Sequence, residues 1–535
     1  MQKALSRVGK VSTMKNGIVW YKLNDLRVCD HLPLYKSHNE CNNVNHIFTY
    51  DPRLFETTDR GIDKMCKKRF KFLYDSVNDL KQVLKENGSK LHVFYGTPEE
   101  ILPHVTSKWC TDVIYSHDEY VQEEKSVLNH CKEIINRDIS FQLYWGGGTL
   151  LQYPNDVPFD IEDLGYFTSF RNIIESSDIL EGISCLPKPL VFQPFQDIEI
   201  DQLQHHNDDS MMLTWSKLTN EPIVELSEEE FNQPNDDAKA FTLKGGESQA
   251  LLRIDYYISN GHIEGRLRDY KSLRNGLIGM DYSSKLSPYL AHGCISSRQV
   301  YKAVKEFEEK SGIADDNTYW LIFELLWRDY MHLYGLKLKN KMFHLGGIDS
   351  RVKADWTINP AYISAWIEGR TGYPFIDANM RQLAETGYMS NRGRQIVASF
   401  FTRDLSQDWR YGAEYFESIL LDYDVCSNWG NWQYASGVGP DPREDRYFNV
   451  IKQATVYDPD CDFIRLWIPE LSVLSNEVLH NIGLLTEELR ITHGITDSIY
   501  PRPIASLIHS SFKPESKKKL KQRLKSGGIP KSRNG

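Results

Sequence analysis

Four clusters of residues in this chain have types and spacings suited to chemistry. The densest runs Met389-Ser390-Asn391-Arg392-Gly393-Arg394-Gln395, continues through Asp404 and Trp409, and ends in Asp422-Tyr-Asp424-Val-Cys426-Ser-Asn428-Trp429-Gly-Asn431-Trp432. Asn391 and Arg394 are three apart and Asn391 and Gln395 four apart, so they share one helix face. Asp422, Asp424 and Asn428 offer donors and acceptors suited to a flat heteroaromatic ring with amide edges. Beyond Cys426 no His or Cys stands near these carboxylates, which argues against a metal site. Two acids only two residues apart also suit a glycosidase poorly. A second cluster, Asp281-Tyr-Ser283-Ser284-Lys285-Leu286-Ser287-Pro288, gathers three hydroxyls and a lysine before a helix start. That composition suits a phosphate, or equally a serine-rich helix cap; no Walker loop is present. The third, Glu324-Leu-Leu-Trp327-Arg328-Asp-Tyr330, sits in an apolar helix, where its polar stripe either faces a cavity or forms an i,i+4 ion pair. The fourth, Trp20-Tyr-Lys-Leu-Asn-Asp25-Leu-Arg27-Val-Cys-Asp30, follows an apolar strand. On a parallel sheet ligands sit at such strand ends, though a paired Asp–Arg turn would explain the same residues.

The elements that must position these clusters divide the chain. Residues 17–165 alternate strands (Gly17–Leu23, Lys90–Tyr95, Asp112–Ser116, Ser140–Tyr144) with helical stretches, notably Lys67–Glu86 and one starting at Thr97-Pro98. This predicts an α/β Rossmann-like domain with a parallel sheet. Residues 166–242 are expected to form a long connection, with prolines at 187, 189 and 194 and acidic, Asn/Gln-rich sequence after them. Residues 243–500 carry helical patterns almost throughout and are expected to form an all-α domain. Residues 1–16 form a basic, acid-free extension and 501–535 a basic tail expected to lack order.

Composition narrows the class further. The 535 residues include 41% hydrophobic and 25% charged residues, ordinary for globular proteins. No apolar stretch reaches the length of a membrane span, and nine scattered cysteines without a CxxC argue for a reducing intracellular compartment. Nucleus or cytoplasm is the expected address; the basic N-terminus also allows a mitochondrial one. The net charge is −10, so any nucleic-acid surface must be a local basic patch. Eight of the twelve tryptophans fall between Trp320 and Trp467, which sets the helical half apart chemically.

Together these motifs, with Tyr270-Lys-Ser-Leu-Arg-Asn-Gly276 and Gly439-Pro-Asp-Pro-Arg-Glu-Asp-Arg446, resemble the photolyase/cryptochrome family from Trp20 to about Leu471, and specifically its DASH-type cryptochromes. The resemblance implies an antenna domain, a helical domain binding FAD non-covalently, and a DNA partner containing pyrimidine dimers. It implies that Tyr270, Ser283, Ser284, Lys285, Leu286 and Ser287 hold the FAD phosphates. Arg328 would contact the cofactor, Asn391 would lie by the flavin ring, Arg394 and Asp422 would form an ion pair over it, and Asp424 and Asn428 would bond its edge. Glu324 would sit between the adenine and the dimer, and Trp327 would stack on the dimer. Trp432, Trp409 and Trp356 match an electron-transfer chain, and Glu119 matches the carboxylate that binds a 5,10-methenyltetrahydrofolate antenna. Gln395 and Tyr434 stand where many photolyases have methionine and tryptophan, a pattern associated with single-stranded DNA. Arg274, Arg392, Arg443 and Arg446 are candidate phosphate contacts or solvated surface. The expected activity is blue-light repair of cyclobutane dimers by a monomer; the alternative is a photoreceptor signalling through FAD photoreduction.

Overall fold

In the computed structural model, which describes residues 15–197, 243–259, 266–348, 355–440 and 447–508, the first half is built on five parallel strands. These are β1 (Asn16–Trp20), β2 (Asn43–Tyr50), β3 (Leu91–Tyr95), β4 (Val113–His117) and β5 (Ser140–Tyr144), in the order β3-β2-β1-β4-β5. Every neighbouring pair is parallel, as the alternating pattern predicts. The chain direction across the sheet reverses between β1 and β4, so the carboxyl ends of these two strands flank the crevice where open α/β sheets take ligands.

The sequence pattern did not reveal β2. Its residues Asn43-Val-Asn-His-Ile-Phe-Thr-Tyr are buried almost throughout, so they show no in–out alternation, and three polar side chains interrupt the apolar run. Two of them, Asn45 and His46, have hydrogen-bond partners inside. Asn45 donates to Gln196 O at 2.9 Å, and His46 bonds both Ser89 and His38. Around the sheet lie α1 (Leu32–Glu40), α2 (Lys67–Glu86), α3 (Pro98–Lys108) and α4 (Gln122–Ile134). Helix α2 buries Phe70, Leu73, Val77, Leu80 and Leu84, the residues its three-and-four spacing selects. Pro98 opens α3 as expected, but the Thr97 hydroxyl donates to Glu100 at 2.9 Å instead of capping a backbone N–H.

The stretch 166–242, expected as a connection, opens with a helix, α5 (Phe167–Glu175), whose Phe167, Phe170 and Ile174 are buried. The helical half follows, and the elements that matter for the site are α6 (Glu247–Ile254), α7 (Ser297–Ser311), α8 (Asp316–Leu338), α9 (Pro374–Thr386), α10 (Asn391–Ser399), α11 (Trp409–Ile419) and α12 (Val425–Ser436). Capping boxes start α7 at Ser296/Gln299 and α8 at Asp315/Thr318. One face of the sheet shares a continuous apolar core with these helices; the other closes over Ile18, Trp20, Ile47, Leu102 and Trp109. Among the described residues, no helix is long and apolar enough to cross a membrane.

Polar ties cross between the halves. Asp329 of α8 accepts from Leu150 N and Leu151 N at 2.9 and 2.7 Å. Glu247 accepts from Val28 N and Cys29 N. Asp30 takes Arg298 and Ser296. Arg27 does not pair with Asp25; its guanidinium donates to the carbonyls of Cys29, Asp30 and, across the junction, Gly293. The polar loop after β1 is therefore largely a clamp.

Candidate functional site

Two cavities open in this framework. The first, about 420 Å³, is walled by the segment 282–287, α8, α10 and α12. It gathers Tyr270, Ser283, Ser284, Lys285, Leu286, Ser287, Glu324, Trp327, Arg328, Asn391, Arg394, Asp422 and Asn428, together with Arg274, Gln395, Tyr434 and Trp432. Residues from three of the four sequence clusters thus converge on one space. Lys285 is buried in a left-handed conformation (φ 56°), its Nζ donating to Ser283 Oγ at 3.0 Å and lying over the Tyr282 ring. Burial depresses its ammonium well below the ordinary lysine range. The Asp422 side chain is enclosed, and its Oδ2 accepts from Arg394 at 2.8 Å and Ser287 at 2.6 Å, while Oδ1 has no hydrogen-bond partner. An orphaned buried acceptor in a cavity calls for an N–H donor. Asn428 Nδ2 donates to Ala413 O at 2.9 Å, which leaves its carbonyl oxygen toward other partners.

Asp424 stands apart. It lines the second cavity and not the first. Its Oδ2 is taken by Arg328 at 3.2 Å and His332 at 2.9 Å, its Oδ1 by the N–H of Ser427, where it caps α12. Burial opposes its ionisation, but His332 and Arg328 hold the carboxyl well below the usual range. Arg328 also donates to Gly148 O and Leu290 O. Glu324 and Arg328 form no i,i+4 pair; Glu324 bonds Arg274 instead. Arg392 lies outside the cavity wall, donating to Gln395 Oε1 at 2.9 Å and stacking over Tyr457. Arg443 and Arg446 lie outside the described residues. Trp327 stacks face to face on Phe167 of α5, ring centroids 3.7 Å apart, with Tyr434 at its edge. Phe167 belongs to the expected connection, and nothing in its sequence context marked it. Tyr282 and Tyr388, which flank Lys285, were likewise missed; buried aromatics carry no signal that separates wall from core.

The three tryptophans expected to form a chain differ in setting. Trp432 lines the first cavity; Trp409 is fully buried, its indole N–H on Leu345 O; Trp356 is half-buried, its N–H on Thr402 O. Helix α11 connects the first two: Trp409 is its first residue, and Gly412 one turn on leaves space that the Trp432 ring occupies.

The second cavity, about 510 Å³, lies at the junction of the two halves. The carboxyl ends of β1 and β4 contribute Trp20 to Asn24, Glu119 and Tyr120; the helical half contributes Phe343, Glu417, Tyr423 and Trp429. Lys22 lies 3.3 Å from Glu119 and over the Trp20 ring. Burial raises the Glu119 carboxyl, opposed by Lys22, and raises Glu124 to about 8 with help from the Glu119 charge. Behind this wall Asp25, His31 and His117 come close enough to suggest a metal trio. Their tautomers argue otherwise. His31 Nδ1 accepts from Leu34 N, so its proton is on Nε2, facing Asp25; His117 donates to Asp25 from Nδ1 at 2.8 Å. Both nitrogens facing the carboxylate carry protons and offer no lone pair.

Comparison with known proteins matches this architecture. Residues 17–188 match the family model described as DNA photolyase, and residues 320–520 the model described as the FAD binding domain of DNA photolyase. A cryptochrome DASH of Synechocystis sp. is 40% identical over 509 residues, covering 94% of this chain and 97% of that one. A cryptochrome DASH of Xenopus laevis is 39% identical over 487 residues, covering 90% of this chain and 88% of the other. The crystal structure of a Synechocystis sp. cryptochrome superposes with a TM-score of 0.83 at 39% identity, over 95% of this chain and 99% of that chain. With relatives this similar spanned almost end to end, and both of its halves matched, the chain belongs to the photolyase/cryptochrome family, among the DASH cryptochromes.

Proposed function

We propose that this protein repairs cyclobutane pyrimidine dimers in DNA under blue light, with a preference for single strands, using FAD in the first cavity. The donor set there fits the cofactor. Ser283, Ser284 and Ser287 offer hydroxyls, and Lys285 a cation, for the diphosphate; the unpartnered Asp422 Oδ1 suits a ring N–H; Arg394 places positive charge beside it. When bound, reduced FAD supplies the light-excited electron donor. The residues supply position and exclusion of water. Trp327, braced by Phe167, offers a flat face to an extruded dimer, and Glu324, oriented by Arg274, offers a carboxyl to its carbonyl and N–H edge. Extrusion costs only a few kcal/mol for a damaged base, and stacking on an aromatic face recovers about 1–3 kcal/mol.

Single strands are favoured because the dimer's second wall is modest. Tyr434 presents a smaller ring than tryptophan, and Gln395 is a carboxamide tied to Arg392. Less apolar contact leaves less energy to separate a dimer from its paired strand. In the second cavity, Glu119 and Lys22 would hold a folate antenna. The observation that carries this reading is the convergence on one cavity of a cofactor-type donor set at one end and a braced Trp327 with Glu324 at the other. The test is repair of a defined thymine dimer in single-stranded and duplex oligonucleotides by pre-reduced protein under blue light. Faster repair of the single strand is expected. Absence of repair on both substrates would replace this reading with the photoreceptor one.

A further inference from the structure

We propose that Trp429 is a branch of the tryptophan chain, passing an electron to oxidised Trp409 and opening the chain into the cavity between the two halves. The inference rests on the reading of Trp432 and Trp409 as an electron path. Trp409 meets Trp429 edge to face, ring centroids 5.6 Å apart, which is direct contact for aromatic pairs. Trp429 in turn lines the second cavity, with Phe343 packed on its ring. Its indole N–H donates to Glu417 Oε2 at 3.3 Å. Trp409 therefore leads to two places: through its own helix to Trp432 at the first cavity, and through Trp429 to the second.

The pairing with Glu417 gives the branch a chemical purpose. After light has drawn an electron from Trp432 to the bound oxidised flavin, Trp409 refills Trp432, and Trp429 refills Trp409. Trp429 is left as a radical cation, whose N–H is strongly acidic. Its proton passes along the existing hydrogen bond to the Glu417 carboxylate, leaving a neutral indole radical and a carboxylic acid. A small thiolate entering past the exposed Gln122 and Glu123 returns one electron and becomes a thiyl radical; Glu417 returns the proton. The indole and the carboxylate are thereby restored. Burial raises the Glu417 carboxyl above its ordinary range, which makes it a stronger base for this transfer. Arg69 and Lys64 work against that shift, as does a hydrogen bond from Tyr423, while Glu123 adds to it; Glu124 faces the same space.

Four variants, all assayed with FAD content measured from absorbance and dithiothreitol as reductant, test the branch. Trp356→Phe should retain photoreduction of oxidised FAD, because the cavity route remains. Trp356→Phe with Trp429→Phe should photoreduce about tenfold more slowly than Trp356→Phe alone, equivalent to about 1.4 kcal/mol in barrier. Glu417→Gln keeps a hydrogen-bond acceptor but no proton acceptor, so transient absorption should show a tryptophan radical cation where the unaltered protein shows the neutral radical. Equal rates for the single and double variants, with the radical form unchanged in Glu417→Gln, would overturn the branch. Trp409→Phe separates this from its premise: unimpaired photoreduction in that variant would remove the tryptophan chain itself, and the branch with it.

Discussion

At the scale of single residues, the first cavity separates binding of cofactor from binding of lesion. Trp327 has Phe167 on one side and the cavity on the other, so Trp327→Ala should remove a stacking surface and leave the cofactor walls intact. A loss of about 1–3 kcal/mol lowers affinity for dimer-containing oligonucleotide about 5- to 150-fold, read by titration with the flavin pre-reduced. Affinity for undamaged DNA, which depends on phosphate contacts, should stay level; a parallel loss on both would mean Trp327 is only core. Asp422→Ala has the converse signature. It leaves Arg394 and Ser287 without their shared acceptor, so FAD content after purification should drop markedly. Full occupancy would show that Asp422 is not part of the cofactor site. Trp327 was legible because its motif falls on consecutive turns of a helix, and Asp422 through the dense polar run that leads into α12. Asp424 was not, since from spacing alone it is equivalent to Asp422. Only the fold shows that Arg328, His332 and the start of α12 occupy it.

At the scale of elements, the crossing of α11 and α12 fixes the tryptophan geometry. A Cβ built on Gly412 would lie 2.2 Å from the Trp432 ring, closer than any real contact. Gly412→Ala must therefore push Trp432 or separate the helices, an overpacking that costs about 1–3 kcal/mol. Slower photoreduction with a lowered melting temperature is expected; wild-type values for both would show that the crossing has slack. A second element, the strap Phe192–Gln196, is tied to the sheet through histidine. Gln193 N donates to His38 Nδ1, so His38 must donate from Nε2 to His46 Nε2, and His46 from Nδ1 to Ser89. Both imidazoles are neutral, and burial pushes His38 down to about 4 and His46 lower than its ordinary range. Because the unfolded chain takes up a proton near pH 6.5 that the folded one refuses, stability is full above that pH and declines as pH falls toward about 4. The loss for His38 alone is on the order of 3 kcal/mol. The protection factor of the Gln193 amide, taken against the intrinsic exchange rate at each pH, should fall between about pH 7.5 and pH 5; an unchanged factor would rule the tie out. This strap and β2 escaped the sequence pattern for one reason: their polar groups satisfy each other in the interior, so neither alternates.

At the scale of the molecule, the two halves share one apolar core, and the sharpest test of their unity is Asp329. This residue of α8 is 1% exposed and receives the N–H groups of both Leu150 and Leu151, in the segment that leaves β5. Gly148 in the same segment accepts from Ser297 of α7 and Arg328 of α8. Removing the carboxylate leaves two buried donors unpaired, each at about 1–3 kcal/mol. Asp329→Ala should therefore destabilise the whole protein by about 2–6 kcal/mol, and Asp329→Asn, which keeps one acceptor oxygen, by less. If the halves are one cooperative unit, flavin absorbance and far-ultraviolet circular dichroism should report a single transition, displaced to lower temperature by the same amount. The cavity between the halves, walled from both sides, exists only while they stay together. Asp329→Ala should therefore also quicken quenching of the Trp429 fluorescence by an added solute, measured against a Trp429→Phe background. Two separated transitions, with the sheet half melting at its original temperature, would show instead that the halves fold independently and that Asp329 secures only a loop.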